Sequence, residues 1–587
     1  MKRTLYGLAV LVLTAAHVIG ADKNADKNKG SDNAEAPTAK SADTPLRTEL
    51  VELEARIAQQ QEQFEARIAK QQEQMDELRK IVQEQRTTIE RITAALSVKA
   101  ASSASSAHPA AAESASATPS ASPGPVSAPS APRGPEPQET APKANAAMSS
   151  PLQLQVGNTT IMPVGFMDLT SSWKDKNAGG SLGSSFGSIP YNNAPAAKLS
   201  EFRFSPQNSR LGFRVDGNWK GAHFIGYNEF DFLGQSGSTS ISVTNGAFVP
   251  RIRLYWVDVS KGKFEFLAGQ SWSMLTPNRR GISALPGDLF YSQVIDVNYM
   301  IGLTWTRQPG VRVLYHPSRQ VTMGLSFENP DQYIGGSGGG PTVVLPTALT
   351  GLAGLQLDSG ANVQTTPNMH PDIIAKIAFD PSSRVHFEFA GIERTFKTWN
   401  TATGQPASGQ YSTKAGAGGA INANVEVVKN LRLVTNNFWS DGGGRYLFGN
   451  APDLVVRADG SVSPIHSGGV VEGFEATINK TLLYAYYGGI YVGRNTVVDA
   501  NGTSLVGYGY RGSANSQNRT VQEVSFGFNQ TLWKDVRYGA LNFMGQYEYL
   551  TRNPWYVAPN APKNAHDNTI YFNFRYTLPG SAPAPEK

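Results

Sequence analysis

Beyond Ile161 the chain alternates apolar and polar residues with a period of two, and no helical period of useful length appears. In Leu211–Val215, Leu211, Phe213 and Val215 alternate with Gly212 and Arg214. In Phe224–Phe232, Phe224, Gly226, Phe230 and Phe232 alternate with Tyr227, Glu229 and Asp231. Around 251–256, Ile252, Leu254 and Trp256 fall opposite Arg251, Arg253 and Tyr255. The last run sets Ile570, Phe572, Phe574 and Tyr576 against Asn573, Arg575 and Thr577. One face suits lipid and the other a wet lumen. A soluble sandwich alternates in the same way, so the connections arbitrate. Short polar turns at 217–220, 260–263, 317–319, 381–384, 428–430 and 534–535 contrast with long Gly/Ser/Asn-rich loops near 174–199, 234–248, 274–298, 329–369, 397–411, 442–466, 496–518 and 552–566. Short turns on one rim and long loops on the other predict an all-β transmembrane barrel over 151–578. A simple count gives about seventeen strands. A closed single-chain antiparallel barrel needs an even number, so Tyr299–Thr306 and Val311–His316 are read as one strand interrupted at Pro309-Gly310, giving about sixteen antiparallel strands. Trp173, Trp219, Trp256, Trp439, Trp533 and Tyr576 near run ends are candidates for the interfacial girdles.

The first 150 residues follow other rules. Lys2 and Arg3 precede an apolar stretch ending at small residues Gly20 and Ala21, which predicts a signal peptide over 1–21. Residues 22–45 are polar and read as disordered. Over 46–97 the period changes to seven: Leu50, Ile57, Phe64, Leu78 and Ile92 form one row, and Ile68, Met75, Val82, Ile89 and Leu96 a second row four residues further on. Two such rows make the seam of an α-helical coiled coil, here an oligomerisation helix with Gln61, Gln71 and Gln85 in its core layers. EARIAQQQEQF at 54–64 recurs as EARIAKQQEQM at 65–75, an eleven-residue period that locally relaxes a left-handed supercoil. The Ala/Ser/Pro run at 98–150 reads as an extended linker, and 579–587 as a short tail.

Composition narrows the class. Of 587 residues 17% are charged and 10% aromatic, with 58 Gly and no Cys, so disulfides, Cys-ligated metals and thiol catalysis are excluded. GGSLG at 179–183 and GYGYRG at 507–512 match hydrolase and dinucleotide patterns, but neither sits at a strand-to-helix junction. The eight His have no paired spacing, so neither a metal nor another cofactor is expected and no catalytic constellation survives. The net charge of +5 is mild and does not point to nucleic acid. Its placement matters more. Arg210, Arg214, Arg251, Arg253, Arg432 and Arg575 fall on the inward register with Lys376, and the loop 274–298, positioned to fold into the lumen, adds Arg279 and Arg280. Clustered guanidiniums concentrate and pair with anions. The acids Glu229, Asp231, Glu265, Glu388, Glu475 and Glu523 oppose them. Two readings stand: an anion-preferring constriction, or arginines that brace the barrel through ion pairs.

PVGFMDLTSSW at 163–173, SRLGFRVDG at 209–217, RIRLYWVDV at 251–259, FLAGQSWSMLTP at 266–277 and GLSFENP at 324–330 resemble the DcaP-like trimeric porins of Gram-negative outer membranes. The order of signal peptide, coiled coil, linker and barrel is also similar to theirs. The resemblance implies a sixteen-stranded barrel in a homotrimer, embedded in outer-membrane lipid, passing small anionic solutes such as dicarboxylates. Its matched positions are Arg210 and Arg214, Arg251 and Arg253, and Gln270 and Trp272. Two departures stand out: the long linker, and a tail after Leu578 where an aromatic residue would end the last strand. The coiled coil is expected in the periplasm, close to peptidoglycan. The alternative from another class is a structural protein that tethers the outer membrane to the cell wall, with the barrel as its anchor.

Overall fold

The computed structural model describes residues 151–579 apart from 180, 235–247, 337–341, 361–365, 403–404 and 449–450. The expected signal peptide, disordered segment, coiled coil, linker and most of the tail lie outside the described residues.

Sixteen antiparallel strands close into a barrel. They are β1 (Thr159–Lys174), β2 (Glu201–Ser205 continuing as Arg210–Trp219), β3 (Ala222–Gly234), β4 (Val249–Lys261), β5 (Phe264–Trp272), β6 (Arg307–Ser318), β7 (Val321–Glu328) and β8 (Asp372–Ser382). The second half comprises β9 (Val385–Ala402), β10 (Gln405–Val428), β11 (Leu431–Asp441), β12 (His466–Ile478), β13 (Thr481–Val492), β14 (Asn518–Asp535), β15 (Gly539–Pro554) and β16 (Ala565–Thr577). Each strand pairs with the next. β16 pairs back onto β1 from Phe166↔Thr577 to Lys174↔Thr569, which closes the ring. Closure leaves no unpaired edge within the bilayer, where such an edge has no acceptor. The two pieces of β2 pair with the two halves of β1 and so count as one wall position.

The alternation holds on most strands. Met167, Leu169, Phe213, Phe572 and Phe574 face outward, and Asp168, Thr170, Tyr571 and Asn573 are buried inward. β4 departs from it. Glu229 pairs with Leu254 while Phe230 pairs with Ile252, so Arg253 is the extra residue of a β-bulge. A bulge resets the period-two phase. Ile252 and Tyr255 therefore point outward, and Arg253, Leu254 and Trp256 point in. Trp256 is thus a lumen residue stacked on Tyr227, not a girdle residue. Trp219, Trp439 and Trp533 are outward and exposed as expected.

Two other boundaries shift. Tyr299–Thr306 is not strand: β6 begins at Arg307 and carries Pro309 and Gly310 inside its ladder, opposite Gln270 and Gly269. The count of sixteen stands, but 299–306 belongs to the preceding loop. The loop expected at 397–411 is mostly ladder, because β9 and β10 stay paired out to Ala402↔Gln405. The short turns include one more than the sequence suggests, Asn479-Lys480, with Asn479 at φ 55°.

At the other rim the long loops pack on one another. Ile189, Tyr191, Leu345, Leu357, Tyr446, Val455 and Tyr508 form a continuous apolar core, and two hairpins (Leu454–Val456 with Val462–Pro464, Asn495–Val498 with Leu505–Tyr508) stiffen it. Beneath it Arg394 binds Asp372 at 3.0 Å and Asp453 at 2.9 Å, and Arg445 binds Asp372 at 2.9 Å. Asp331, in the loop after β7, completes this network. Burial raises its carboxyl to about 7; Arg445 pulls it down, while Asp453 and the hydrogen-bonded Asp358 push it up. A carboxyl raised in the fold favours the folded loops fully below its unfolded value, and that contribution is lost as pH rises through about 7. Amide exchange in 329–336 should therefore slow as pH is lowered from 8 to 5, after correction for intrinsic rates, and Asp331→Asn should abolish the difference.

Candidate functional site

The loop 273–306, after β5, runs into the barrel, and the wall supplies what its backbone needs. A buried loop carries N–H groups that require acceptors. Inward carboxylates and amides meet that need at successive points. Met274 N donates to Glu328 at 2.7 Å, Asn278 N to Glu388 at 3.1 Å, and Gly281 N to Asp380 at 3.0 Å. Further along, Ile301 N donates to Glu523 at 2.9 Å, Thr304 N to Asn436 at 2.8 Å, and Ile295 N to Gln546. The wall is also bare where the loop presses on it. Gly302 has φ 86°, and a Cβ there would collide with the carbonyls of Val470 and Gly489; a Cβ at Gly488 would collide with that of Ile301. Glycine in these strands permits backbone contact.

Arg279 is the loop's main clamp. Its Nη1 and Nη2 each reach a Glu475 oxygen at 2.7 Å, Tyr486 donates to the same carboxylate at 2.6 Å, and the guanidinium lies over Phe290. Burial alone would favour the neutral form, but Glu475 outweighs it and raises the pKa of Arg279. Most acids expected to oppose the arginines are committed in this way. Glu388 also binds Lys376 at 2.7 Å, and Glu265 lies 3.2 Å from His316.

The remaining arginines divide. Arg210, Arg251 and Arg253 come together on β2–β4. Arg253 Nε donates to Glu229 at 2.7 Å and its Nη1 to Asp231 at 2.7 Å, while Arg251 holds Asp231 through contacts of 2.6 and 3.0 Å. Arg210 Nη1 lies 3.7 Å from Glu229. Arg307, which sequence reasoning misses because 299–306 reads as strand, joins them: Arg253 and Arg307 both lie over the Trp272 ring, at 5.6 and 5.5 Å. Arg307 Nη1 is buried with no hydrogen-bond partner. Four guanidiniums thus face two carboxylates. Tyr299, Tyr291 and Trp305, equally unforeseen, come from the loop, and Trp305 stacks on Trp272 at 3.8 Å between centroids. Gln270 supports the group by donating to the Arg253 carbonyl at 2.9 Å.

Arg214, Arg280 and Arg432 lie elsewhere. Arg214 is held by Asp216 at 2.6 and 2.7 Å. Arg432, on β11, donates to Asn424 at 2.9 Å and lies 3.9 Å from Glu426, seven strands around the ring from Arg253 on β4. Arg280 is exposed, next to Arg279 whose side chain keeps 8% exposure. Arg575 binds Asp168 at 2.9 Å and stacks on Phe166. A cavity of about 1040 Å³ extends from Arg210, Trp272 and Tyr299 past Arg432 and Arg575 to Lys480 and Lys534 at the short-turn rim.

No protein-family model and no curated protein matches the chain. Among solved structures, the outer membrane channel DcaP of Acinetobacter baumannii aligns with a TM-score of 0.52, covering 72% of this chain and 98% of that one at 16% identity. The barrel has the fold of the DcaP channel. Lesser similarity extends to the outer-membrane OmpT of Vibrio cholerae (TM-score 0.38, 11% identity, 72% and 99% coverage) and to an anion-selective porin from Comamonas acidovorans (0.39, 12%, 71% and 99%). The motif-level resemblance to DcaP-like porins and the DcaP-type fold therefore agree, and the strand number matches that expectation.

Within this DcaP-type barrel the clamp is separable from the arginine group. Arg279→Gln leaves the largely buried Glu475 carboxylate with Tyr486 but without its charged partner, a change that costs at most about 3–5 kcal/mol. The variant should unfold at lower denaturant concentration than wild type, and its single-channel conductance should become larger and noisier as the loop detaches. Unchanged midpoint and conductance would show that the other contacts hold the loop alone.

Proposed function

We propose that the chain is an outer-membrane channel for passive diffusion of small hydrophilic anions, dicarboxylate-like solutes among them, and not an enzyme. The observation that carries the reading is the surplus of guanidinium over carboxylate beside the inward loop, with Arg307 unpartnered at Nη1. A guanidinium whose counter-charge the protein does not provide makes the adjoining cavity, lined by Arg210, more positive even though Nη1 itself is buried, and low-dielectric walls strengthen the attraction for a passing carboxylate. Arginines that only brace the barrel would be matched one for one, as Arg214 and Arg279 are. Assembly as a homotrimer, with the N-terminal coiled coil in the periplasm near peptidoglycan, belongs to the same proposal and draws on the heptad pattern. The apolar packing of the long loops favours a second reading, a closed barrel that serves as an anchor.

Planar bilayers separate these readings. Steady conductance excludes the anchor, and the reversal potential in a salt gradient gives the sign of selectivity. Wild type should prefer anions, and Arg307→Gln should lower the anion-to-cation permeability ratio by about twofold or more, since one of two surplus charges is removed. Liposome swelling should be faster with succinate than with a neutral or cationic solute of equal size. A cation-preferring pore, unaltered by Arg307→Gln, would overturn the proposal.

A further inference from the structure

One residue of the inward loop is strained for a reason that the loop's anchoring does not supply. Tyr299 has φ 59°, the left-handed region that a bulky side chain enters at an energetic cost. The neighbouring wall contact, Ile301 N to Glu523, fixes the backbone two residues on, and Tyr299 N bonds back to Asp296 O at 3.0 Å. The strain has its return at the side chain. The buried ring stands 4.7 Å from Trp305 and 6.2 Å from Tyr291, and its hydroxyl oxygen accepts from Arg210 Nη2 and lies 3.5 Å from Arg253 Nη2. Glu229 touches the same two guanidiniums, Arg253 at 2.7 Å and Arg210 at 3.7 Å. Two like charges are therefore held together by two oxygens, one from the wall and one from the loop.

We propose that Tyr299 is the selectivity-setting residue of the constriction: its oxygen holds the Arg210 and Arg253 guanidiniums together, and loss of its proton cancels part of the positive surplus and turns the anion preference down. This rests on the reading of the arginine group given above. The groups facing the phenol are Arg210 on β2, Glu229 on β3, Arg253 on β4, Arg307 on β6 and Tyr291 on its own loop. Burial pushes the phenol up, but Arg210 and Arg253 outweigh it, with Glu229 opposing them, and the net displacement is downward. A phenol has a proton to donate elsewhere; a phenolate only accepts, so both guanidinium bonds become charge-assisted from each side.

The test is the reversal potential of wild type and Tyr299→Phe in planar bilayers, titrated from pH 7 to pH 10.5, with heat-modifiable gel migration confirming that both are folded. Lysines and other tyrosines titrate in both proteins, so the readout is the divergence of the two curves. Wild type should lose anion-to-cation permeability relative to Tyr299→Phe by about twofold or more across this range, as one surplus charge is neutralised. A wild-type pore without anion preference at pH 7 would overturn the reading of the arginine group, and this proposal with it. An anion-preferring wild type whose curve superimposes on that of Tyr299→Phe would overturn the tyrosine proposal alone.

Discussion

A backbone N–H carried out of water needs an acceptor, and this molecule meets that requirement twice by different means. In the wall the acceptor is the neighbouring strand, and pairing of β16 with β1 leaves no strand without one. Inside the wall there is no neighbouring strand for the loop 273–306. There the wall offers side-chain acceptors, Glu328, Glu388, Asp380, Asn436 and Glu523, projected from five strands to meet the loop at intervals, beside backbone carbonyls of the loops such as those of Tyr446 and Phe448. The loop's path, the width left beside it and the position of its aromatic residues all depend on this second arrangement.

That arrangement also decides the electrostatics. Counted as a list, the inward acids and bases of the barrel nearly cancel. Counted by partner, they do not, because several carboxylates are spent on loop N–H groups or on Arg279 and Lys376. Arg210, Arg251, Arg253 and Arg307 keep a surplus because Glu229 and Asp231 are the two carboxylates beside them. The bulge at Arg253 contributes directly. Without the extra residue, Arg253 could not point inward while Ile252 and Tyr255 both point outward.

Much of the fold was legible in the chain. Period two, alternating short and long connections, and the parity rule lead to sixteen strands, because a closed antiparallel ring admits few alternatives. Two local signals mislead, for different reasons. Trp256 and Leu254 fall on the outer face only if the period-two phase runs unbroken through β4, and the bulge resets it. Tyr299–Thr306 has the composition of a strand, but its apolar residues Ile301, Leu303 and Trp305 pack inside the barrel instead of facing lipid. Burial in a lumen and burial in a bilayer select the same residue types, so composition alone does not separate them.

By itself the sequence determined the class of wall, the side of β2, β4, β11 and β16 that carries arginine, and which loop is placed to turn inward. These are local properties, set by alternation and by order along the chain. Only the tertiary structure decided which charges neutralise each other, since Arg279 meets Glu475 across 196 positions and Arg253 shares its carboxylates with a strand 20 or so positions away. The same holds for Tyr299, whose place between two guanidiniums depends on a loop pinned by strands that lie far downstream. Charge pairing is a matter of distance in space, and distance between remote segments is not written in any window of the chain.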